Sequence, residues 1–552
     1  CQAGWAIMML SAHAPELASM VGIAGAPLSY WAGLEGKNPM RYLGGLTGGN
    51  WISAMTADLG AGNFDGANLV SNFENLNPAN SMIGKPYGLY ANIDTEADRY
   101  LDFERWWGGY FLLSREEIVE LTSELFIGNK LTQGRILADD GSPIDLRAIR
   151  APIVVIASEG DNITPPPQAL NWILDLYADV QEIRANEQTI VYTVHPDVGH
   201  LGIFVSGKVA AREHNTLVNS LDLIDTLPPG LFEMVIDEVH TENEHDIACE
   251  TYTMHFEQRT LDDIRAYDDG RADEEPFRAV ARFSEINEGL YSTFAAPWVK
   301  MFANAGGAEM QRMMHSQRLR YTMFSDANPF MAGVKAAADA VREHRAEAPA
   351  DNGLRKIEKA VVETAQRSIE QVTDQRDLAI ERLFKAIWTH PLIQALAGES
   401  ATHSDSRKPA ASQRRVLDQL CDLKLRAIAA REREGSFTDA IFRVVYSAIK
   451  AGRGVDASAF AAAREVWMKH PRFEDLDREQ FITEAKEAAF MVAVDEQAAL
   501  EALPRLLPSE SDRQDALALL RRMMEVFPEV APEVQEVQNR VEQILERSTE
   551  AA

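Results

Sequence analysis

The sequence predicts an α/β fold: the back half of an open α/β sheet with a lid insertion, followed by a small β element and a long all-α C-terminal region. Three observations predict it. Short, continuously apolar runs of strand length alternate with helical patterns in the first 228 residues. A pair of alternating runs follows them. From residue 261 onward, nearly every apolar pattern has the helical period.

The first part of the chain contains the predicted sheet. Residues 3–20 are apolar nearly all round and predict a buried helix despite Pro15. The other predicted elements of this sheet are a strand at 20–25, a buried strand at 152–157, an amphipathic helix at 168–178 and a strand at 189–194. The segment of about 27–145 is rich in Gly, Asn, Trp and Tyr, and it is the predicted lid.

Composition and periodicity divide the chain into four parts. We expect an incomplete α/β domain at 1–228, a β-hairpin plus helical region at 229–398, a polar linker at 399–413 and an all-helical domain at 414–552. The hairpin is predicted from the runs 231–239 and 250–257, the second of which alternates apolar and polar residues.

The charge balance excludes several classes of partner. The 552 residues carry 54 Lys and Arg against 84 Asp and Glu, a formal net charge of −30. Such a chain lacks the clustered cations that neutralise nucleic-acid phosphates or an anionic membrane. No stretch approaches the roughly 18–20 apolar residues that span a bilayer. The three cysteines form neither a zinc motif nor a disulfide framework. We therefore expect a cytoplasmic protein without a nucleic-acid partner or a transmembrane segment.

The chain begins at Cys1, immediately before the first predicted helix. A lipoprotein that starts at a lipidated cysteine is one interpretation, but a polar tether normally follows such a residue. An N-terminal-nucleophile hydrolase is another, but its first residues should form a strand. We favour a third interpretation, in which the sequence is truncated and the missing upstream part ends in a strand that leaves Cys1 on the turn into the helix.

Three residues meet the rule that open α/β sheets carry their reactive groups at the carboxyl ends of strands. Cys1 would follow the missing strand, while Asp161 and His200 each follow a predicted strand. Their chain order of nucleophile, acid and histidine is that of α/β-hydrolases. A loop cap is the alternative interpretation of Asp161, and a small buried hydrophobe is that of Cys1. His195 is the alternative candidate for the catalytic histidine, but it lies nearer than His200 to the strand predicted at 189–194.

Cysteine chemistry explains why these residue types belong together. A thiol with a pKa of about 8.5 is mostly protonated at neutral pH, so an adjacent imidazole must accept its proton. The imidazole needs a carboxylate behind it, which holds the tautomer and stabilises the imidazolium. The N-terminus of a helix at Cys1 further favours the thiolate. The sequence therefore predicts Cys1, Asp161 and His200 as a catalytic triad.

The first 215 or so residues resemble polyhydroxyalkanoate synthases, especially the type whose catalytic subunit needs a second subunit. The segments that carry this resemblance are 126–131, 143–146, 151–152, 161–165 and, most specifically, 199–208. Those enzymes have a lipase-like box with cysteine in place of serine, and residues 1–4 resemble its second half, with Ala3 where glycine is usual. The resemblance implies an α/β-hydrolase fold with Cys1 as nucleophile and His200 as base. It implies that Asp161 is the partner of His200 or the activator of an incoming hydroxyl.

The whole chain resembles more closely a bacterial family labelled poly(3-hydroxyalkanoate) synthetase-like, or DUF3141. Segments 65–80, 103–110 and 324–329 carry this second resemblance. The final block, with segments 484–486 and 512–517, resembles the all-helical TerB-like tellurite-resistance domain.

These resemblances imply a cysteine acyltransferase that acts on hydroxyacyl thioesters. Coenzyme A is then part of the substrate, and no cofactor is expected. A thioesterase, esterase or depolymerase with the same triad is one alternative. A non-catalytic scaffold whose helical half binds a partner or a polymer-granule surface is another. The strand before the nucleophile and the loop with the other oxyanion donor are not among the 552 residues, so we expect this fragment alone to be inactive.

Three further signals concern binding. Trp106 and Trp107 of the insertion either bind substrate along an acyl channel or pack the lid. One helical face suggests a helix bundle or a surface for a partner helix, and it carries Ile357, Val361, Thr364, Ile369 and Val372. The expected protein partners are a second copy of the chain or a helical partner subunit. Residues 240–246 with Cys249 contain metal-ligating types, but their spacing matches no ligand geometry. We expect an exposed acidic turn there and no metal site.

Overall fold

The structure is a computed structural model, and part of the chain is described in it. The described residues are 3–206, 209, 212, 214, 217–218, 220–242, 248–346, 348–349, 351–398, 419, 423, 426–427, 430–451, 464–474, 476–525 and 531–550. Cys1 and the predicted linker 399–413 lie outside them. The chain divides into two compact units. The first comprises Cys1–Ala32, Leu131–Asp269 and Asp405–Ala552, and the second comprises Gly33–Lys130 and Gly270–Ser404.

The described strands belong to two sheets. They are β1 (Val21–Ala24), β2 (Asn63–Asp65), β3 (Leu112–Ser114), β4 (Ile153–Ser158), β5 (Thr189–His195), β6 (Gly230–Glu242) and β7 (Ala248–Gln258). The first unit holds a five-stranded sheet of order β1-β4-β5-β6-β7, in which the first four strands run parallel and β7 runs antiparallel to β6. The second unit holds the antiparallel pair β2 and β3.

Helices make up most of the described residues. In chain order they are α1 (Ala3–His13), α2 (Leu43–Leu46), α3 (Trp51–Leu59), α4 (Ala67–Glu74), α5 (Lys85–Ala91), α6 (Ile93–Trp107), α7 (Arg115–Glu120), α8 (Pro166–Leu176), α9 (Val180–Ala185), α10 (Gly202–Val205), α11 (Leu221–Thr226), α12 (Leu261–Arg265), α13 (Pro276–Leu290), α14 (Ala296–Phe302), α15 (Ala305–Met314), α16 (Ser316–Met323), α17 (Met331–His344), α18 (Gly353–Trp388), α19 (Pro391–Ala397), α20 (Phe437–Ala451), α21 (Arg478–Val494), α22 (Glu496–Glu501), α23 (Leu503–Leu506), α24 (Glu510–Met524) and α25 (Pro532–Glu550). In the part of the chain that the structure describes, no helix is both long and apolar enough to cross a membrane.

The central strand β4 shows why the sequence forms a parallel sheet. All six of its residues, Ile-Val-Val-Ile-Ala-Ser, are buried. A parallel strand that is covered on both faces needs such a continuous apolar run, and β-branched residues fit its pleat. The strands predicted at 20–25, 152–157 and 189–194 are confirmed, and each observed end lies within one residue of the predicted end.

The first helix is shorter than predicted. Instead of continuing to residue 20, α1 ends at His13, and a 3₁₀ turn follows at Pro15–Leu17. Proline cannot donate a backbone hydrogen bond, and its ring moves the preceding residue out of the helical conformation. Ala14 accordingly has φ −131° and ψ 75°. The prediction of one helix across Pro15 was therefore wrong.

The predicted hairpin is present and extends the main sheet. Strand β6 pairs in parallel with β5, from Thr189 opposite Gly230 onward, and its other edge pairs with β7. Met254 and Phe256 on β7 are both buried, as their period of two predicts. The hairpin therefore adds two strands beside β5 and contributes to the core of the first unit.

The C-terminal helices of the first unit share a core with the sheet. The Tyr446 hydroxyl on α20 donates a hydrogen bond of 2.6 Å to the carbonyl of Thr226, and both residues are buried. The apolar side chains that form this core include Val154, Val191, Phe232, Met234, Met254, Phe442, Trp467 and Phe481. Burial of this apolar surface is the main force that holds the helices to the sheet.

An aromatic cluster joins the two segments of the second unit. The rings of Tyr42, Phe277 and Phe384 lie 4.6–5.8 Å apart between centroids. The guanidinium of Arg41, which is fully buried, forms an ion pair of 2.5 Å with Asp273 and lies over the Tyr42 ring. Because these residues come from segments more than 200 positions apart, the inserted segment and the later helices form one unit.

Candidate active site

The candidate site lies at the carboxyl ends of two neighbouring parallel strands. Strand β4 ends beside β5, with Ser158 opposite His195. Parallel strands deliver the loops that follow them to the same edge of the sheet. Asp161 lies three residues after β4, and His200 lies five residues after β5. The two loops therefore begin side by side.

Asp161 and His200 form a buried pair across these loops. The Nδ1 atom of His200 lies 2.7 Å from Oδ2 of Asp161, and both side chains are almost inaccessible to solvent. With an ionised carboxylate as the acceptor, the Nδ1–H group donates and the basic lone pair is on Nε2. The structure thus brings two of the three predicted catalytic residues into hydrogen-bond contact.

The other oxygen of Asp161 holds its own loop. Oδ1 accepts hydrogen bonds from the backbone N–H groups of Ile163 (2.8 Å) and Thr164 (2.9 Å). This side chain–backbone turn is typical of Asp in loops. Both carboxylate oxygens therefore have donors within the protein, which fixes the direction in which Oδ2 points.

Ser158, which was not among the residues predicted from the sequence, links the two loops. Its buried hydroxyl donates a 2.5 Å hydrogen bond to the carbonyl of Val198, two residues before His200. The backbone N–H of Gly160 in turn donates to that hydroxyl at 3.3 Å. A polar residue at the end of an otherwise apolar strand is the sequence signal that could have identified it.

A glycine allows the loops to approach. A Cβ atom placed on Gly160 would lie 2.5 Å from the carbonyl carbon and oxygen of Asp197. Real Cβ atoms do not come so close, so the contact between the loops requires a glycine at this position.

The end of β1 lies against the imidazole. Gly25 has φ +49°, and a Cβ atom there would lie 3.4 Å from Cε1 of His200 and 3.3 Å from Ile203 on α10. Phe204 on α10 also contacts the imidazole, edge to face at 5.7 Å between centroids. The His200 ring therefore has neighbours at the end of β1 and on α10.

The third predicted residue, Cys1, lies outside the described residues. The described chain begins at Ala3, the first residue of α1. Next to it, a Cβ atom on Gly4 would lie 2.3 Å from the Cβ of Ala26. Ala26 follows Gly25, so the N-terminus of α1 packs against the chain segment that contacts His200.

His195, the competing histidine, has different surroundings. Its Nδ1 lies 3.2 Å from the carboxylate of Asp197, which is exposed. Burial and the positive charge of Arg212 lower the pKa of His195, and Asp197 opposes them. The structure thus places the two histidines beside different carboxylates.

The tryptophans predicted to bind substrate belong to the second unit. On α6, the Trp107 indole N–H donates to Glu74 at 3.1 Å, and its ring stacks on Phe103 at 5.8 Å. The Trp106 ring contacts the rings of Phe103 and Trp107, but most of the Trp106 surface is exposed. Trp107 is therefore held by contacts within the second unit, and Trp106 presents an apolar surface to solvent.

The described residues give no cluster of three or more His, Cys, Asp or Glu that could hold a metal ion. Of the predicted acidic turn 240–246, residues 243–246 lie outside the described residues, and the side chains of 240–242 and of Cys249 are not described.

Comparison with known proteins assigns the chain to a family. A family model described as "Protein of unknown function (DUF3141)" matches residues 1–431. A Rhizobium meliloti protein described as "Uncharacterized protein in ackA 5'region" is 46% identical over 528 residues, which cover 95% of this chain and 72% of that protein. The chain belongs to the DUF3141 family. The family predicted from the sequence is thereby confirmed.

This DUF3141 chain also shows a more distant similarity. The poly(3-hydroxyalkanoate) polymerase subunit PhaC of Haloferax mediterranei is 24% identical over 158 residues, which cover 28% of this chain and 29% of that protein. No solved structure gives a significant match.

Proposed function

We propose that this DUF3141 protein is a cysteine acyltransferase with an α/β-hydrolase-like sheet that acts on hydroxyacyl thioesters of coenzyme A. Cys1 is the nucleophile, His200 is the base and Asp161 orients the base. The observation that carries the proposal is the buried hydrogen bond of 2.7 Å between Asp161 and His200 at the ends of adjacent parallel strands. A triad is recognised by geometry and roles, and this pair supplies two of the roles.

In the first half of the reaction, Nε2 of His200 accepts the proton of the Cys1 thiol. The thiolate attacks the thioester carbonyl, and a new carbon–sulfur bond forms. The bond to the coenzyme A sulfur then breaks, and the imidazolium returns the proton to the leaving thiolate. Asp161 stabilises the imidazolium throughout, because its ionised carboxylate lies beside Nδ1.

In the second half, a hydroxyl group attacks the acyl–cysteine. His200 accepts the hydroxyl proton and passes it to the Cys1 sulfur, which leaves as a thiol. A second hydroxyacyl group as acceptor lengthens a polyester, and water as acceptor releases a free acid. Both oxygens of Asp161 already accept hydrogen bonds, from His200 and from two backbone N–H groups, which supports the orienting role over direct activation of the hydroxyl.

The similarity to PhaC supports the choice of substrate class. That protein is described as a polymerase of 3-hydroxyalkanoates, and the similar region covers 28% of this chain. A thiol nucleophile suits a thioester substrate, since attack exchanges one thioester for another. The chain's formal charge of −30 gives no general attraction for anionic coenzyme A, so recognition of the nucleotide must come from local contacts.

The proposal is tested by following thiol release from 3-hydroxybutyryl-coenzyme A with the protein as its gene encodes it. Cys1→Ala and His200→Ala should both reduce release to the background rate. Asp197→Asn, which alters an exposed carboxylate in the same loop, should retain it. Polymer or free acid in the products separates synthase from hydrolase.

The opposite result is equally clear. No release across a panel of acyl chain lengths, together with failure of iodoacetamide to label Cys1, would overturn the proposal. It would favour the non-catalytic interpretation, in which the sheet is a scaffold and the helical half binds a partner.

A further inference from the structure

The long helix α18 of the second unit has one face that packs inside its own unit. Phe384 and Trp388 are buried there, and the Tyr87 hydroxyl donates to Glu358 at 3.0 Å. The Arg376 guanidinium donates to the carbonyl of Asn75 at 2.9 Å. These contacts fix the rotation of the helix about its axis, and therefore which of its residues face away from the unit.

A second apolar stripe on α18 is exposed. Its large members are Leu354, Ile357, Val361 and Val372, whose residue surfaces are 76%, 61%, 61% and 70% exposed. Between them on the same side of the helix lie Ala365, which is half-buried, and the exposed but polar Ser368. The spacing 354, 357, 361, 365, 368, 372 follows an 11-residue repeat of about 3.67 residues per turn, which is typical of helices that pair with a right-handed supercoil. The stripe therefore has the pattern of a helix-pairing surface.

The borders of this stripe favour its burial. On one side the flanking residues are uncharged, namely Ala360, Thr364, Gln371 and Gln375. On the other side the charged residues Glu358 and Arg376 already have hydrogen-bond partners in the unit. Covering the stripe therefore leaves neither of these two charged side chains without a hydrogen-bond partner, which lowers the cost of burying the surface.

The stripe is self-complementary about residue 363. Leu354 and Val372 lie nine positions on either side of it, and Val361 and Ala365 lie two positions on either side. Ile357 is matched six positions on the other side by Ile369, which is half-buried at the edge of the stripe, and Ser368 is matched by Glu358. Two copies in antiparallel orientation would place Leu354 against the partner's Val372, and Val361 against the partner's Ala365. An isologous interface requires such self-complementarity, because the same patch serves both copies.

The exposed apolar area of the stripe can be compared with the area that a specific dimer interface buries. The stripe exposes on the order of 500 Å² of aliphatic surface per chain, so an isologous pair buries on the order of 1000 Å², about the lower bound for a specific interface. We propose that the protein forms a homodimer through antiparallel pairing of α18 at residues 354–372. This inference does not depend on the proposed catalytic function.

Analytical ultracentrifugation of the chain tests the pairing. The wild-type protein should sediment at twice its mass of 61.3 kDa, and Val361→Glu should sediment as a monomer with unchanged helical circular dichroism. Lys359→Glu, on the side of α18 away from the stripe, is the matched control and should remain a dimer. Dimers that survive both Val361→Glu and Ile357→Glu, or a wild-type monomer at about 50 µM protein, would overturn the proposal.

Cysteine cross-linking tests the orientation. In a chain with Cys1, Cys249 and Cys421 replaced by Ser, the double variant Leu354→Cys, Val372→Cys should form intermolecular disulfides under mild oxidation. Leu354→Cys alone should not, because the two copies of residue 354 would lie about 27 Å apart at 1.5 Å rise per residue. Efficient cross-linking by Leu354→Cys alone would exclude the antiparallel arrangement.

Discussion

The Nδ1 atom of His200 lies 2.7 Å from Oδ2 of Asp161, and both residues are buried at the carboxyl ends of β4 and β5. The orientation of the carboxylate is fixed, because Oδ1 of Asp161 accepts hydrogen bonds from two backbone N–H groups while Oδ2 faces His200. Replacing the carboxylate should therefore change the orientation and basicity of His200 more than it changes the fold of the sheet.

Asp161→Asn should reduce kcat/KM for 3-hydroxybutyryl-coenzyme A by about 100- to 10,000-fold, the range expected when a histidine base loses its orienting carboxylate. The amide keeps the size of the side chain but removes the charge that stabilises the imidazolium. Thiol release measures the effect, and circular dichroism checks folding. An activity within a factor of three of wild type would contradict the assigned role.

Gly160→Ala should destabilise the first unit by about 1–3 kcal/mol, because its Cβ would overlap the backbone of Asp197. Gly199→Ala is the matched control in the neighbouring loop, since a Cβ there meets no atom within 4 Å. It should change the free energy of unfolding by about 0.5 kcal/mol or less. Urea denaturation measures both. Equal losses in the two variants would show that the contact with Asp197 is not the cause.

Mutations of the two tryptophans on α6 should have different effects on stability. Trp107→Phe removes the hydrogen bond to Glu74 and should cost about 1 kcal/mol of stability. Trp106→Ala should change stability less, because the side chain is mostly exposed. Urea denaturation measures both variants. A loss of stability in Trp106→Ala as large as that in Trp107→Phe would contradict the different contacts assigned to the two side chains.

His195 should make the stability of the protein depend on pH. Burial and Arg212 lower its pKa below the ordinary value of 6.5. The folded state therefore binds this proton less readily than the unfolded state. The resulting stability is present above pH 6.5 and is lost as the pH falls from 6.5 toward the folded-state pKa. His195→Gln should show a smaller fall in unfolding free energy than wild type between about pH 7.5 and pH 5.5.

Asp197→Asn provides the check on this prediction. Its carboxylate opposes the lowering of the His195 pKa, so its removal should make stability fall more steeply with decreasing pH. Guanidinium denaturation at several pH values measures the difference. A fall no steeper than in wild type would contradict the assigned causes.

Local sequence patterns predicted much of the sheet. The apolar run of β4 and the alternation of β7 are set by residues next to one another, so they are visible without the fold. The end of α1 was missed because the apolar composition of residues 3–20 outweighed the local effect of Pro15. Ser158 was missed because its role depends on Val198, a residue of another loop.

The sequence by itself determined the α/β class, the DUF3141 membership and the order of Asp161 and His200 after their strands, because apolar runs and motif residues are local properties. Only the tertiary structure decided that these two side chains form a hydrogen bond, since this depends on the register of β4 with β5. It also decided that Gly33–Lys130 and Gly270–Ser404 form one unit. The aromatic packing of Tyr42 with Phe277 and Phe384 joins residues that are far apart in sequence, and no local pattern specifies such contacts.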